Sequence, residues 1–206
     1  MRKREWPLAP EATLALHQGA LDPPPELVTD LCQTLEAIPK LQFRCYGKPC
    51  VMPRHQLLYG PADLTYTFSG CTLRATPAMH PLVSLCLDYA NSLGEEMFNG
   101  ALVNYYPDPC HHISHHSDDE PALGKGLPIL GFSFGCARTF QIKSKLDKRV
   151  ALNVDLPHGS VAIMQGAQFQ QLFTHALPPK KGKAFQQAWS HCPWRLSITV
   201  RNFGCG

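Results

Sequence analysis

The sequence lacks the features of a membrane protein or a secreted protein. No apolar run approaches the ~18 residues that a membrane-spanning helix needs, and the first residues contain no hydrophobic core of a signal peptide. None of the nine cysteines forms a Cys-x-x-Cys pair, so neither a disulfide framework nor a common zinc-site spacing is indicated. We therefore expect free thiols, no membrane partner and an intracellular reducing compartment. A short basic cluster, MRKR, favours the nucleus over the cytoplasm.

The chain also lacks internal repeats and a large excess of charge. Its 206 residues, 44% hydrophobic content and net charge of +3 are typical of one globular domain. This charge permits a nucleic-acid partner without demanding one. The proline-rich residues 1–25 predict a loosely attached N-terminal arm. Residues 26–206 predict a single domain, which we expect to be a monomer.

Periodicity predicts helices in the first half of the chain and strands in the second half. Apolar residues recur at helical spacing over residues 26–38 and 81–93. Beyond residue 98, short apolar runs alternate with glycine and proline, which is typical of a β-sandwich or jelly roll. The eight runs cover residues 101–106, 113–118, 128–134, 137–142, 150–156, 160–164, 172–176 and 196–203.

Residues 104–120 contain the only His-x-Asp triplet in the sequence, His116-Ser117-Asp118. On a strand, side chains two positions apart point to the same face. A histidine and a carboxylate placed in this way supply two ligands of the two-His-one-carboxylate triad that holds Fe(II) in oxygenases. The third ligand must be a later histidine, and His175, within an apolar stretch, is the best candidate.

Two other interpretations of this stretch stay open at this stage. A His-x-Asp triplet also occurs by chance. The neighbouring histidines, together with Cys110, could instead bind zinc. Adjacent histidines alternate in direction along a strand, however, and so do not converge on one ion.

The C-terminal run WRLSITVRNF places two arginines on one face of a predicted strand. Arg195 and Arg201 are six residues apart, and Ser197 and Thr199 fall on the same side. Buried arginines need an anionic partner, and the planar guanidinium matches a carboxylate with two hydrogen bonds. This pattern favours a dicarboxylate ligand, while two surface arginines on an edge strand are the alternative.

Together these residues resemble the AlkB family of Fe(II)- and 2-oxoglutarate-dependent nucleic-acid dealkylases, and in particular its eukaryotic DNA-repair members. The resemblance covers the chain from about residue 40 to Phe203. The segment YGPADLTYTFSG is similar to the family's nucleobase-pocket segment. The other matching motifs, in the family's order, are Asn104-x-Tyr106, HSDDE from His116 to Glu120, His175 and Arg195-x5-Arg201.

The resemblance implies a fold and a set of ligands. The implied fold is α+β, a double-stranded β-helix (jelly roll) over residues 98–206, with N-terminal helices and a nucleotide-recognition hairpin region over residues 40–75. The cofactors are Fe(II), 2-oxoglutarate and O₂. The implied iron ligands are His116, Asp118 and His175. The residues implied for 2-oxoglutarate are Asn104, Tyr106, Arg195, Thr199 and Arg201.

The resemblance also implies a pocket for the substrate base. Its residues would be Gln56, Tyr66, Phe68, Asp119 and Glu120. Alternation places the Tyr66 and Phe68 rings on one face, where they form either a pocket wall or part of the core. Residues 41–53 predict a hairpin. The candidates there for intercalation into a duplex are Cys45, Tyr46 and Lys48. Duplex-acting members of the family have an aliphatic residue and a phenylalanine where this chain has Cys45 and Tyr46.

The implied activity is oxidative demethylation of 1-methyladenine- and 3-methylcytosine-type bases, with DNA favoured over RNA. The products would be succinate, CO₂ and formaldehyde. The alternatives are a jelly-roll oxygenase acting on a protein or small molecule, and a non-catalytic nucleic-acid reader or zinc-binding module. The lysine-rich residues 143–149 and 180–183 predict solvated loops, which in a nucleic-acid enzyme could contact phosphates.

Overall fold

The computed structural model describes residues 1–45, 47–68, 70–94, 97–120, 123, 126–180 and 189–204. This part of the chain is mostly β with few helices. The helices are α1 (Pro25–Glu36), α2 (Pro81–Asn91) and the single turn α3 (Phe169–Leu172). The strands are β1 (Arg2–Ala9), β2 (Ala12–Gln18), β3 (Gln42–Cys45), β4 (Lys48–Val51), β5 (His55–Tyr59), β6 (Thr65–Phe68), β7 (Cys71–Arg74), β8 (Gly100–Tyr106), β9 (Ile113–His116), β10 (Ile129–Gly135), β11 (Arg138–Ser144), β12 (Val150–Leu156), β13 (Ser160–Gln165), β14 (Phe173–Leu177) and β15 (Arg195–Arg201).

Two antiparallel sheets carry the architecture. The larger has seven strands in the order β1-β2-β13-β10-β15-β8-β5, and the smaller has four in the order β12-β11-β14-β9. One buried cluster contains residues of both sheets, including Leu16, Tyr106, Phe140 and Val154. Two sheets that share a core in this way are consistent with a jelly roll. The hairpins β3–β4 and β6–β7 form separate two-stranded sheets.

The alternating residues of strand β15 face two different parts of the interior, a hydrophobic core on one side and a cavity on the other. Leu196, Ile198 and Val200 belong to a second core cluster, which includes buried residues of α1 and α2. Arg195 and Arg201, on the opposite face, line the cavity between the sheets. The predicted separation of arginines from aliphatic residues is therefore confirmed.

Both predicted helices are present and cover the outer face of the larger sheet. Helix α1 has a proline in its first turn, where the missing N–H costs nothing, and it buries Val28, Leu31 and Leu35. Helix α2 begins at His80, whose ring Nδ1 accepts a hydrogen bond from the Leu82 N–H at 3.1 Å. No helix of the described chain is long and apolar enough to cross a membrane.

The strand prediction holds for all eight runs after residue 98, with shifted ends. Strand β9 ends at His116, two residues before the predicted end, so Asp118 lies just beyond the sheet. The predicted hairpin is also present as β3–β4, with Gly47 at a φ of 78° in its turn. Strands β5 and β7 were not predicted. The seven cysteines whose side chains the structure describes are free.

The prediction of a loose arm over residues 1–25 is wrong. Strands β1 and β2 form a hairpin, and β2 pairs with β13 over five residues of the larger sheet. Leu14 and Leu16 are fully buried there. Proline content misled the prediction, because Pro7 lies on an edge strand, where proline is tolerated. The apolar run ATLAL was the contrary signal.

Candidate active site

Three side chains converge at the edge of the smaller sheet. His116 ends β9 and is paired in register with His175 on β14, which brings the two imidazoles together. The Nε2 atom of His116 lies 3.7 Å from Asp118 Oδ1, and Nε2 of His175 lies 3.5 Å from Asp118 Oδ2. The three potential ligand atoms lie within 4.8 Å of one another. This spacing suits a single metal ion.

The donor set fits Fe(II). His116 Nδ1 donates to the Ser114 carbonyl at 2.9 Å, which leaves the lone pair of its Nε2 for a metal. Asp118 Oδ2 is buried and has no hydrogen-bond partner in the described structure, although a buried carboxylate oxygen is costly when unpaired. Two neutral imidazoles and one carboxylate are the protein ligands of the facial triad.

The electrostatics keep Asp118 and His116 in their metal-binding protonation states. Burial alone would raise the pKa of Asp118, but Arg201 and the two histidines outweigh it and hold the pKa well below its usual range. Burial and the neighbouring His175 lower the pKa of His116 to about 4. Near neutral pH the site therefore contains an ionised carboxylate and a neutral His116.

A second cluster surrounds Arg195, which lines the same cavity as the three metal ligands. Its guanidinium is 1% exposed and donates to Ser133 Oγ at 2.8 Å and to the carbonyls of Cys136 and Leu156 at 3.2 and 3.3 Å. Burial lowers the pKa of Arg195 to about 10, so it stays cationic. No carboxylate of the described residues lies within salt-bridge distance of it. A buried cation with only neutral partners favours an anionic ligand.

Asn104 and Tyr106 on β8 line the cavity near this arginine. Asn104 Oδ1 accepts two hydrogen bonds, from Arg54 Nε at 2.8 Å and from Gln56 Nε2 at 3.0 Å. Burial raises the pKa of Tyr106, so its hydroxyl remains protonated. Both side chains can therefore donate hydrogen bonds to an anion beside Arg195.

Arg201 connects the iron triad to an aromatic wall. One guanidinium nitrogen donates to Asp118 Oδ1 at 2.9 Å and the other to the Tyr66 hydroxyl at 2.7 Å. The Tyr66 and Phe68 rings lie 5.2 Å apart, and both line the cavity, which confirms that they share a face. Glu120 lines the same region, and burial raises the pKa of its carboxyl.

One cavity of about 360 Å³ joins all of these groups. Arg195 and Arg201 lie at opposite ends of β15 and line the cavity together with Thr199. The metal triad also lines it, and Arg201 joins Asp118 of the triad to Tyr66 in the aromatic part, which Phe68 lines as well. Phe43, from the β3–β4 hairpin, also contributes to the wall. An anionic ligand and a flat aromatic ligand could both reach the same metal ion.

Comparison with known proteins identifies the family. A model of the 2OG-Fe(II) oxygenase superfamily matches residues 14–201, nearly the whole described chain. The chain belongs to the 2OG-Fe(II) oxygenase superfamily. The His-Asp-His triad that this superfamily uses for iron is the cluster of His116, Asp118 and His175.

Named relatives place this oxygenase among the AlkB homologues, as the sequence motifs predicted. The chain is 38% identical to DNA oxidative demethylase ALKBH2 of Homo sapiens over 147 residues, which are 68% of this chain and 56% of that protein. It is 32% identical to alpha-ketoglutarate-dependent dioxygenase alkB homolog 3 of Homo sapiens over 134 residues, 61% of this chain and 46% of that protein. The chain thus spans about half the length of these relatives.

The solved structure of OsALKBH1 has the same fold. Its TM-score is 0.60 at 23% identity, over 92% of this chain and 97% of that one. The match to the family model begins at residue 14 and so includes most of β2, which was predicted here as part of a loose arm.

The oxygenase cavity contains some predicted substrate residues and leaves others out. Gln56 does not line it but lies behind Asn104, to which it donates. Asp119 points away, with a side chain 61% exposed and 3.4 Å from Lys145 Nζ. Lys48 is exposed on β4. Tyr46 and the Cys45 side chain lie outside the described residues, so their intercalating role stays a prediction.

Three residues in or next to this oxygenase site were missed in the sequence, and of these Arg54 lines the cavity. Arg54 is buried in the cavity wall and also donates to the His112 carbonyl at 3.3 Å. Arg138 is buried and donates to the Pro178 carbonyl at 2.7 Å. Gln170 Oε1 accepts the Asp118 N–H at 3.0 Å. Only Arg138 had a signal, because it alternates with Phe140 and Ile142 on an otherwise apolar strand face.

Proposed function

We propose that this protein is an oxidative demethylase that removes N-alkyl groups from nucleic-acid bases. The observation that carries the proposal is one cavity that is lined by the metal triad, by the buried Arg195 and by the aromatic side chains of Tyr66 and Phe68. An enzyme that joins a dicarboxylate co-substrate to a flat base at one iron needs such an arrangement. The relatives named as a DNA oxidative demethylase and an alpha-ketoglutarate-dependent dioxygenase support it.

The arginine end suits 2-oxoglutarate. Arg195 lacks a carboxylate partner in the described structure, and its planar guanidinium can hold a carboxylate with two hydrogen bonds. Tyr106 and Asn104 add neutral donors nearby, while Thr199 and Arg201 line the wall. When bound, Fe(II) with 2-oxoglutarate and O₂ supplies an oxidant that hydroxylates an N-alkyl carbon, with release of succinate, CO₂ and, from a methyl group, formaldehyde.

The aromatic end suits an alkylated base. Tyr66 and Phe68 offer adjacent rings to a flat ligand. Glu120, when ionised, attracts bases that carry a positive charge, as 1-methyladenine and 3-methylcytosine do. Because the site is a cavity, a base must leave the base stack of the nucleic acid to enter it. This extrusion costs a few kcal/mol, and the cost is lower for a damaged base.

Several finer points belong to the same proposal. DNA is the preferred nucleic acid, residues 98–206 are a jelly-roll core, and the hairpin region of residues 40–75 contacts the substrate. The exposed Lys148 and Arg149, on the turn after β11, would contact phosphates. The protein acts as a monomer in a reducing compartment, with the nucleus favoured.

Two measurements test the proposal. Metal analysis of protein purified without added metal should find iron, one per chain at full occupancy. Succinate and formaldehyde should be released in equal amounts from oligonucleotides containing one 1-methyladenine or 3-methylcytosine, and unmethylated oligonucleotides serve as controls. A panel of single- and double-stranded DNA and RNA then ranks the substrates. If succinate is released but none of these oligonucleotides yields formaldehyde, the substrate is a protein or a small molecule. If the protein contains zinc and shows no turnover, it is a binding module.

A further inference from the structure

The orientation of the Asn104 amide is determined by its neighbours. An amide can present either its oxygen, which accepts hydrogen bonds, or its NH₂ group, which donates them. The atom of Asn104 that faces Arg54 lies 2.8 Å from the arginine Nε, and an arginine nitrogen only donates. That atom must therefore be the oxygen, independently of any other contact.

The orientation of the Gln56 side-chain amide follows from the same constraint. Its amide lies 3.0 Å from the same Asn104 oxygen, so it must present Nε2 as a donor. This leaves Gln56 Oε1 buried without a hydrogen-bond partner in the described structure. An unpaired buried carbonyl oxygen is destabilising. The structure tolerates this cost at a residue that does not itself line the cavity.

The other end of Asn104 lines the cavity. Its Nδ2 makes no hydrogen bond to the described residues, and it is not among the buried polar atoms that lack a partner. With the oxygen held from behind by two donors, the NH₂ group is the part of Asn104 left for a ligand. Such a donor attracts a carboxylate of 2-oxoglutarate, whereas the reversed amide would present its oxygen to that carboxylate and repel it.

We infer that Gln56 and Arg54 are positioning residues for 2-oxoglutarate, because together they hold the Asn104 amide with its Nδ2 directed into the cavity. This inference rests on the proposed function and gives Gln56 a role different from the base contact expected from the sequence. Gln56 acts through Asn104 and touches neither the metal ligands nor the cavity.

Two substitutions of similar size test the role of Gln56. Gln56→Met removes the donor without adding charge. Arg54 still holds the amide, so 2-oxoglutarate affinity should fall only about two- to threefold. Gln56→Glu replaces the donor with an acceptor that attracts the Asn104 NH₂ group away from the cavity. Affinity should then fall about tenfold or more, the effect of losing one hydrogen bond to a charged group. Gln33→Glu, on the exposed face of α1, is the matched control and should leave affinity unchanged.

The affinity is measured in two ways. One is the KM for 2-oxoglutarate in succinate release, where kcat at saturation should change less than threefold. The other is calorimetric titration of 2-oxoglutarate into protein loaded with Mn(II), which does not depend on turnover. Thermal unfolding of each variant is recorded alongside. A purely structural role for Gln56 would lower the melting temperature and kcat without the selective change in KM, and it would make the two substitutions alike.

A double-mutant cycle separates positioning from a direct effect of the new charge. In an Asn104→Ala background, Gln56→Glu should change the dissociation constant less than twofold, because the group through which it acts is gone. The same tenfold loss in both backgrounds would overturn the inference, as would equal affinities of the wild type and Gln56→Glu. A wild-type protein that binds no 2-oxoglutarate would overturn the proposed function as well, and the calorimetric titration separates these cases.

Discussion

Replacement of Arg195 by lysine tests the co-substrate end of the cavity most directly. The guanidinium is held by Ser133 Oγ and by two carbonyls at 2.8–3.3 Å, so its position is set before any ligand binds. Lysine keeps the positive charge but loses the planar pair of donors. One hydrogen bond to a charged group is worth about 1.5–3 kcal/mol. The KM for 2-oxoglutarate should therefore rise about tenfold to a hundredfold.

The assay is initial-rate succinate release at varied 2-oxoglutarate, with saturating Fe(II) and methylated oligonucleotide. Added co-substrate should restore most of kcat, because lysine removes binding energy and leaves the metal ligands in place. Arg4→Lys, on the exposed edge strand β1, is the matched control and should behave like the wild type. An unchanged KM in Arg195→Lys would refute the assignment of Arg195 to the co-substrate.

Three further predictions concern the metal, the hairpin and the N-terminal strands. His116→Ala should abolish iron binding and turnover. His115→Ala should have a mild effect, because both ring nitrogens of His115 contact Gln141 and Thr174 instead. If metal analysis shows that His115→Ala loses iron while His116→Ala retains it, the assignment of His116 as a ligand is wrong. Tyr46→Ala should lower kcat/KM on duplex DNA about tenfold to a hundredfold, since stacking is worth ~1–3 kcal/mol, and leave single strands unaffected; equal losses on both substrates would contradict an intercalating role. Leu16→Ala should lower the free energy of unfolding by about 2–5 kcal/mol in urea, and no loss would restore the loose-arm description.

The arginine pair was predictable from strand alternation, because Arg195 and Arg201 both lie on β15 and are separated by an even number of residues. His116 and Asp118 were predicted from the same spacing, but β9 ends at His116, so their convergence depends on the chain beyond the strand. The register between β9 and β14, which pairs His175 with His116, is a long-range property. Spacing in the sequence does not predict this pairing, and the order of the motifs in the AlkB family implied His175 as the third ligand.

The remaining features depended on contacts that sequence patterns do not record. Gln56 was expected to touch the base, but the hydrogen bond to Asn104 joins residues 48 positions apart on paired strands. Asp119 follows an iron ligand and still faces solvent, because β9 ends at His116 and alternation no longer determines direction. The N-terminal strands were missed because proline was weighed above an apolar run.

The guanidinium of Arg201 couples the aromatic wall of the cavity to the metal ligands. It holds the Tyr66 hydroxyl with one nitrogen and the Asp118 carboxylate with the other. A substitution that removes the Tyr66 hydroxyl also removes one hydrogen bond of Arg201. It thereby changes the interaction of the guanidinium with the Asp118 carboxylate. A substitution at Tyr66 therefore acts on the aromatic wall and, through Arg201, on the metal ligand Asp118 at the same time.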